Sequence, residues 1–198
     1  DRMKVDPKAD KGKSILILAG AGGVGSIAIQ IAKQVAGLKV IATASRDETE
    51  RWCKSMGADH VVNHHDLKNS LEQIGYKEVD YVLDCVDING YWETLVDIVK
   101  PQGHIVTITG NEKPLNLMLL KEKSVTFSWE YMFTRSLYTT SDILKQQQIL
   151  NELAGLIDQG LLKTTLNTIF NGFTVDNFKK AHRLQESGKS IGKTVIVF

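Results

Sequence analysis

A glycine-rich motif between a strand pattern and a helix pattern constrains the fold of this chain more than any other feature. Lys13 to Ala19 is a nearly continuous apolar run, which is typical of a strand buried on both faces. The run leads into Gly20-Ala21-Gly22-Gly23-Val24-Gly25, and Ser26 to Ala36 then places apolar residues at helical spacing. A Gly-x-Gly-x-x-Gly motif at such a junction predicts a loop that binds the diphosphate of a dinucleotide.

Each glycine of the motif has a predicted role. Gly20 is expected to permit a tight turn, Gly22 to let the backbone approach a diphosphate, and Gly25 to let the helix pack close to the strand. The backbone amides of Gly22, Gly23 and Val24 are expected near the helix N-terminus, where the helix dipole favours an anion. The alternative is a glycine-rich turn that serves packing alone.

Strands and helices alternate along most of the chain, which predicts a doubly wound, mostly parallel α/β sheet with helices on both faces. The further strands are predicted at Lys39–Ala44, Asp59–Asn63, Val79–Cys85, His104–Thr109 and Val125–Trp129, and the helices at Asp47–Met56, Leu67–Ile74 and Tyr91–Val99. Pro101-Gln102-Gly103 is predicted to be a turn. With the strand before the glycine motif, the predicted sheet has six strands.

The regular alternation of strand and helix patterns ends at about Thr134. We therefore divide the chain into a dinucleotide-binding domain, 1–133, and a C-terminal segment, 134–198. Ser141-Asp142 offers an N-cap for a helix that ends near Gly160. A strand, a helix and a final strand are predicted at Leu166–Phe170, Val175–Gln185 and Thr194–Phe198.

The tip of the second strand indicates which dinucleotide binds. Sites selective for NAD place an acidic residue about 20 residues after the motif, where it binds the ribose 2′-hydroxyl. Here the tip reads Thr43-Ala44-Ser45-Arg46, without an acid, and Asp47 comes late enough to be a helix cap. Ser45 and Arg46 suit a 2′-phosphate, which favours NADP(H). The alternative for Arg46 is a solvated surface charge.

Composition excludes several classes of protein. The 24 Lys+Arg and 23 Asp+Glu give a formal net charge of +1, which provides no electrostatic footprint for nucleic acid or an acidic membrane. No apolar run approaches the ~20 residues that span a bilayer, and no secretory leader is visible. With only Cys53 and Cys85, the chain has no disulfide framework, and we expect a cytoplasmic protein.

The chain resembles the medium-chain dehydrogenase/reductase superfamily, in particular its zinc-type alcohol-dehydrogenase-like and quinone-oxidoreductase branches. The segments that carry the resemblance are Lys11–Ile17, Ala19–Gly25 with Ala28–Lys33, Gly57–Asn63, Pro101–Val106 and Ser187–Phe198. The resemblance implies a Rossmann domain and hydride transfer between NADP(H) and an alcohol, aldehyde, ketone or quinone. It also implies a GroES-like catalytic domain, which this sequence lacks and to which the C-terminal segment would return. We therefore expect the cofactor half of an oxidoreductase, without turnover alone and without a catalytic residue of its own.

The resemblance further implies cofactor contacts at the ends of the later strands. His64 would lie near the adenosine 2′-phosphate, and Cys85-Val86 would pass near the adenine ribose and the nicotinamide side. Lys193 falls beside a position that carries a basic residue for the diphosphate, although the local sequence is Gly192-Lys193 rather than a single Arg. The residues implied to line the nicotinamide are Ile108, Thr109, Gly110, Ser128 and Trp129.

Metal binding, assembly and the exact function remain open. His60, His64, His65 and Asp66 fit no zinc-site spacing, so we predict no metal site in this chain, while zinc in a longer protein is undecidable. Edge-strand pairing, frequent in the family, suggests a homodimer. The small-molecule substrate would be bound through the missing domain. The alternatives are a non-catalytic dinucleotide-binding or redox-sensing module and, with less support, an S-adenosyl-methionine enzyme.

Overall fold

The computed structural model describes residues 2–198 and contains a parallel six-stranded sheet, which confirms the predicted fold class. The order across the sheet is β3-β2-β1-β4-β5-β6, and every neighbouring pair is parallel. Successive strands are thus added on one side of β1 as far as β3 and on its other side from β4 onward. Coenzymes bind at such a switch point, beyond the carboxyl ends of the strands. The strands are β1 Ser14–Ile17, β2 Lys39–Thr43, β3 His60–Val62, β4 Val79–Asp84, β5 Val99–Thr107 and β6 Thr126–Trp129.

Helices cover both faces of this sheet. Between the strands they are α1 Gly23–Gln30, α2 Asp47–Ser55, α3 Leu67–Gln73 and α4 Ile88–Ile98, with short 3₁₀ turns at His64–Asp66 and Leu117–Leu120. The first helix begins inside the glycine motif, earlier than its apolar pattern predicts, and continues as a π-helix over Ile31–Val35. Asp47 is the first helical residue of α2 rather than its cap.

Two buried clusters lie on opposite faces of the sheet. On one face, Ile29 of α1 and Cys53 of α2 pack against Ile15 and Ile17. On the other face, Leu71 of α3 and Leu95 of α4 pack against Leu16 and Val82. Alternate residues of β1 therefore point to different clusters, which is why Ile15, Leu16 and Ile17 are all apolar.

Two local predictions differ from the structure. The predicted turn at Pro101–Gly103 is an irregularity within β5, because Val99 pairs with Val79 and His104 pairs with Tyr81 across it. Ser141-Asp142 does not cap a helix: a short helix, α5, spans Thr134–Leu137, and the long helix α6 begins later, at Lys145–Asp158.

The C-terminal segment forms a separate parallel pair of strands, β7 Leu166–Asn171 and β8 Lys193–Val197, joined by α7 Val175–Glu186. Two contacts attach it to the first helix and to the loop Gly20–Gly25, called the glycine loop below. The Gln30 side chain donates to the Lys163 carbonyl at 3.0 Å and accepts from the Lys163 amide at 2.7 Å. The Gly192 amide donates to the Ala21 carbonyl at 2.8 Å. No helix within residues 2–198 has the length and apolar character needed to cross a bilayer.

Candidate functional site: a cleft at the glycine loop

The glycine loop brings unpaired helix amides to the carboxyl edge of the sheet. Gly22 is the N-cap of α1, and Gly23, Val24 and Gly25 form its first turn, where amides have no partner within the helix. The Gly22 amide itself donates to the Ala19 carbonyl at 3.0 Å, so it closes the turn. The amides that are free to bind an anion are therefore those of the first helical turn, beginning at Gly23.

The glycines of the motif are required by close packing more than by turn geometry. A Cβ on Gly25 would stand 2.4 Å from the Ala19 carbonyl oxygen, so α1 reaches the strand only without a side chain there. A Cβ on Gly20 would stand 2.7 Å from the Ala42 Cβ. The left-handed residue of the turn is Ala19, with φ 53°, and not Gly20. Gly20 lies within the turn that the Gly22 amide closes on the Ala19 carbonyl, but its φ is not left-handed, and the lack of a side chain there makes room for Ala42 of β2.

Lys193, at the start of β8, extends its side chain over the loop. Its Cε and Nζ lie 3.0 and 3.1 Å from the position that a Cβ on Gly23 would occupy. The ammonium group therefore stands beside the first amides of α1. A cationic side chain and helix N-terminal amides that converge on one point suit an anionic group such as a diphosphate.

A cleft of ≈ 310 Å³ opens beside this loop at the tip of β2. It brings together five of the sequence-predicted residues, namely Gly22, Ser45, Arg46, His64 and Val86. The remaining lining residues, which sequence reasoning did not single out as site residues, are Ala19, Ala21, Thr43, Ala44, Thr49, Tyr91, Gly188 and Ser190. Gly188 and Ser190 come from the α7–β8 connection, so the C-terminal segment forms one wall.

Arg46 reaches this cleft already engaged by neighbouring groups. Its guanidinium donates to the Lys189 carbonyl at 3.1 Å and forms an ion pair with Glu48, also at 3.1 Å. The main-chain amide of Arg46 donates to the Thr49 hydroxyl at 3.2 Å. The carbonyl contact joins the tip of β2 to the α7–β8 connection, while the Glu48 carboxylate competes with any phosphate for the guanidinium.

His64 and Tyr91 form the far wall of the cleft. The His64 Nδ1 and the Tyr91 hydroxyl are 3.0 Å apart. Burial, followed by the nearby His65, lowers the pKa of His64, and burial followed by Asp87 and Asp84 raises the pKa of Tyr91. Both groups are therefore neutral at pH 7, and a bound phosphate would favour the protonated form of His64.

A second set of polar groups lies at the ends of β4 and β5. The Asp84 carboxylate is fully buried and accepts hydrogen bonds from the Thr107 and Thr109 hydroxyls at 2.7 and 2.8 Å. It also accepts from the backbone amides of Val86 and Asp87 at 3.0 and 3.1 Å. Asp84 was not among the predicted site residues, although a carboxylate at the end of a mostly apolar strand could have indicated a functional position.

The other predicted residues lie at the same edge of the sheet but more dispersed. Gly110 lines a larger cleft of ≈ 870 Å³, shared with Val86, next to the start of α4. Burial, together with Asp84, raises the pKa of the Cys85 thiol to about 12. Five predicted residues at the ends of β4, β5 and β6 line neither of these two clefts in the described chain: Cys85, Ile108, Thr109, Ser128 and Trp129.

The histidines near β3 do not assemble a metal site in the described part of the chain. Within residues 2–198 there is no group of three or more His, Cys, Asp or Glu side chains placed to hold a metal ion. His60 packs edge-on against Tyr76, and the His64 and His65 rings contact each other at a tilt of 39°. The residues present therefore do not fit zinc, and we derive no chemical step through that metal.

Comparison with known proteins places this architecture among dehydrogenases. A family model described as zinc-binding dehydrogenase matches residues 56–196. A zinc-type alcohol dehydrogenase-like protein of Staphylococcus epidermidis is 46% identical over 192 residues, which cover 96% of this chain and 57% of the relative. The chain thus spans little more than half the length of that relative.

Two solved structures of similar fold are likewise assigned as oxidoreductases. A protein from Rhizobium etli CFN 42, assigned as a zinc-dependent alcohol dehydrogenase, is 41% identical with a TM-score of 0.87, and the match covers 93% of this chain and 54% of that chain. The quinone oxidoreductase of Escherichia coli, solved as a complex with NADPH, is 28% identical with a TM-score of 0.77. That match covers 95% of this chain and 58% of the other.

Proposed function

Because this chain belongs to the zinc-binding dehydrogenases of the medium-chain dehydrogenase/reductase superfamily, we propose that it is the NADP(H)-binding portion of an oxidoreductase. One observation carries the choice of coenzyme. Ser45, Arg46 and His64 line a single cleft beside the glycine loop, and Lys193 stands over that loop. The cleft is thus bordered by donors for a 2′-phosphate, and the loop by donors for a diphosphate.

The residues have separable roles in this proposal. The first-turn amides of α1 and the Lys193 ammonium hold the diphosphate, while Arg46 and Ser45 hold the 2′-phosphate. To bind that phosphate, the Arg46 guanidinium exchanges its contact with Glu48 for a phosphate oxygen. The coenzyme, when bound, supplies or accepts the hydride. The substrate is an alcohol, aldehyde, ketone or quinone, as in the family, and we propose residues 134–198 as the segment that joins a catalytic domain.

The proposal is tested by comparing NADPH with NADH. We expect the chain to bind NADPH more tightly, and Arg46→Ala to weaken NADPH binding about 10-fold or more while NADH binding changes little. Arg51→Ala, which removes an exposed arginine from the helix that Arg46 precedes, is the matched control and should leave both affinities unchanged. Equal affinities for the two coenzymes would refute the assignment of the 2′-phosphate site.

A screen for turnover tests the reaction class. NADPH oxidation would be followed with quinones, enals and simple aldehydes, with and without a chelator. We expect the isolated chain to bind NADPH without oxidising it, because His64 and Tyr91, the titratable pair in the cleft wall, lie at the proposed adenosine end and not at the nicotinamide. Measurable reduction of any of these substrates by the isolated chain would contradict that expectation.

We also propose a homodimer formed along β6. This strand lies at an edge of the sheet, and aromatic side chains that are about half exposed stand at its end, Trp129, and just after it, Tyr131 and Phe133. An unpaired edge of this kind is normally covered. We expect sedimentation to give a dimer and Thr126→Lys, a charge on the edge strand, to shift the population toward monomer. A monomer at every concentration would refute the proposal.

A further inference from the structure

Asp84 is a buried carboxylate at the edge of the sheet where the coenzyme is proposed to bind. It ends β4, whose buried positions are otherwise occupied by Val79, Tyr81 and Val82. Moving a carboxylate out of water is costly unless donors surround it. The position of this carboxylate therefore depends on the groups that donate to it.

All four donors come from the two chain segments that leave the sheet beside it. One carboxylate oxygen accepts from the amides of Val86 and Asp87, just after β4. The other accepts from the hydroxyls of Thr107 and Thr109, at the end of β5 and beyond it. The Thr109 hydroxyl in turn lies 3.3 Å from the Ile88 amide and accepts from it, so the two segments are also joined directly.

This arrangement fixes both segments in one conformation. Moving either segment away would leave a buried charge with fewer donors, which costs more than the loss of an ordinary hydrogen bond. Val86 lines both clefts, and Gly110, next to Thr109, lines the larger one. The segments that Asp84 holds thus form walls of the larger cleft, and of their residues only Val86 also borders the cleft that contains Arg46.

We propose that Asp84 is a positioning residue that pre-organises the post-β4 and post-β5 segments for the nicotinamide half of the coenzyme. This inference rests on the proposed function. Asp84 does not itself touch the coenzyme: it acts through the Val86 and Asp87 backbone and through Thr109. Its effect is therefore confined to ligands that reach those walls.

Two ligands separate this role from a general effect on folding. NADPH has both halves of the coenzyme, whereas adenosine 2′,5′-bisphosphate occupies only the adenosine side, near Ser45 and Arg46. We expect Asp84→Ala to weaken NADPH binding about 10-fold, while affinity for adenosine 2′,5′-bisphosphate changes less than about 2-fold. An equal loss for both ligands, or no loss for NADPH, would overturn the inference.

Conservative variants test the hydrogen-bond geometry rather than the charge. Asp84→Asn keeps an oxygen for the two backbone amides and places an NH₂ group against the threonine hydroxyls, which are able to accept. We expect it to stay within about 3-fold of the original NADPH affinity. A loss as large as that of Asp84→Ala would show that the hydrogen-bond geometry is not what matters and would overturn the inference.

A milder pair serves if Asp84→Ala fails to fold. Thr107→Val removes one donor at constant shape, and Thr107→Ser retains it. We expect Thr107→Val alone to weaken NADPH binding, again without an effect on adenosine 2′,5′-bisphosphate, and equal behaviour of the pair would overturn the inference. If the unaltered chain bound neither ligand, the proposed function itself would fail, an outcome distinct from selective failure in the variants.

Discussion

The Lys193 side chain lies over Gly23, with its Nζ 3.1 Å from the place where a Cβ on that glycine would stand. The two residues are 170 positions apart in sequence. One opens the first helix of the parallel sheet, and the other opens the last strand of the C-terminal pair. The proposed diphosphate site is therefore built from both ends of the chain.

Removal of the Lys193 charge should weaken coenzyme binding without unfolding the chain. We expect Lys193→Gln to lower NADPH affinity about 3- to 10-fold, because the ammonium group no longer neutralises the diphosphate beside the helix amides. The remaining binding should also depend less on salt concentration. Titrations at two ionic strengths measure both effects, with Lys180→Gln on α7 as an exposed control. Identical salt dependence in both variants would contradict this role.

Gly25 should be the most sensitive glycine of the motif. A Cβ there would meet only backbone atoms, at 2.4 to 2.8 Å, and these atoms have no freedom to move aside. We expect Gly25→Ala to lower the free energy of unfolding by about 1–3 kcal/mol and to weaken NADPH binding. Gly155→Ala is the matched control, because it lies in α6 with no atom closer than 4.0 Å, and we expect it to add about 0.5–1 kcal/mol. Urea unfolding measures both, and a Gly25→Ala chain as stable as the original would contradict the packing argument.

Asp10 should make stability depend on acidity well below neutral pH. Its hydrogen bond with Lys13, aided by the Asp6 amide, lowers the pKa of Asp10 to about 2 from its ordinary 3.8. The unfolded chain therefore binds a proton here before the folded chain does. The resulting stabilisation is complete above pH 3.8 and is lost as pH falls from there toward about 2.

This pH dependence is measurable by urea unfolding between pH 5 and about 2. We expect Asp10→Asn to be less stable than the original chain at pH 5 and to lose less stability on acidification. Lys13→Gln should reduce the slope partially, because it removes the largest cause of the shift. A slope unchanged by Asp10→Asn would rule out this carboxylate as the source.

The two thiols should be unreactive in the folded chain. Burial raises the pKa of Cys53 and of Cys85 to about 12 each, so almost no thiolate is present at pH 8. We expect negligible reaction with a disulfide reagent under native conditions and two thiols released per chain in urea. A rapid native reaction would instead place one of these cysteines in an open, ionised environment.

Sequence patterns predicted most strands and helices of the sheet, whereas the order of the strands across it came only from the structure. The apolar run before the glycines and the alternation after it predicted a parallel six-stranded sheet, because only strands buried on both faces are apolar at every position. Such patterns could not predict the geometry of the turn. The positive φ falls on Ala19, and a side chain on Gly20 would collide with Ala42 on β2. That contact depends on how two strands pack.

The residues of the candidate cleft were predictable where they follow the glycine motif, as Ser45 and Arg46 do, or the family resemblance, as His64 and Val86 do. Ser45 and Arg46 were found because their distance from the glycines is fixed by one βαβ unit. Tyr91, Gly188 and Ser190 were not, since no spacing in the sequence relates α4 or the α7–β8 connection to the tip of β2. Asp84 was overlooked because it was assigned to a strand as a whole. A carboxylate at the end of a mostly apolar strand nevertheless indicates a buried charge that has hydrogen-bond donors.

The hydrogen bond from Gly192 to Ala21 makes the last strand a structural support of the glycine loop. Trimming the chain before Gly192 would remove that support together with Lys193, even though every residue of the motif remained. A shortened version that lost coenzyme affinity would thus have lost a brace for the first loop. For the same reason, a rotation of the C-terminal strands must either carry this loop along or release it, which mechanically links the two regions.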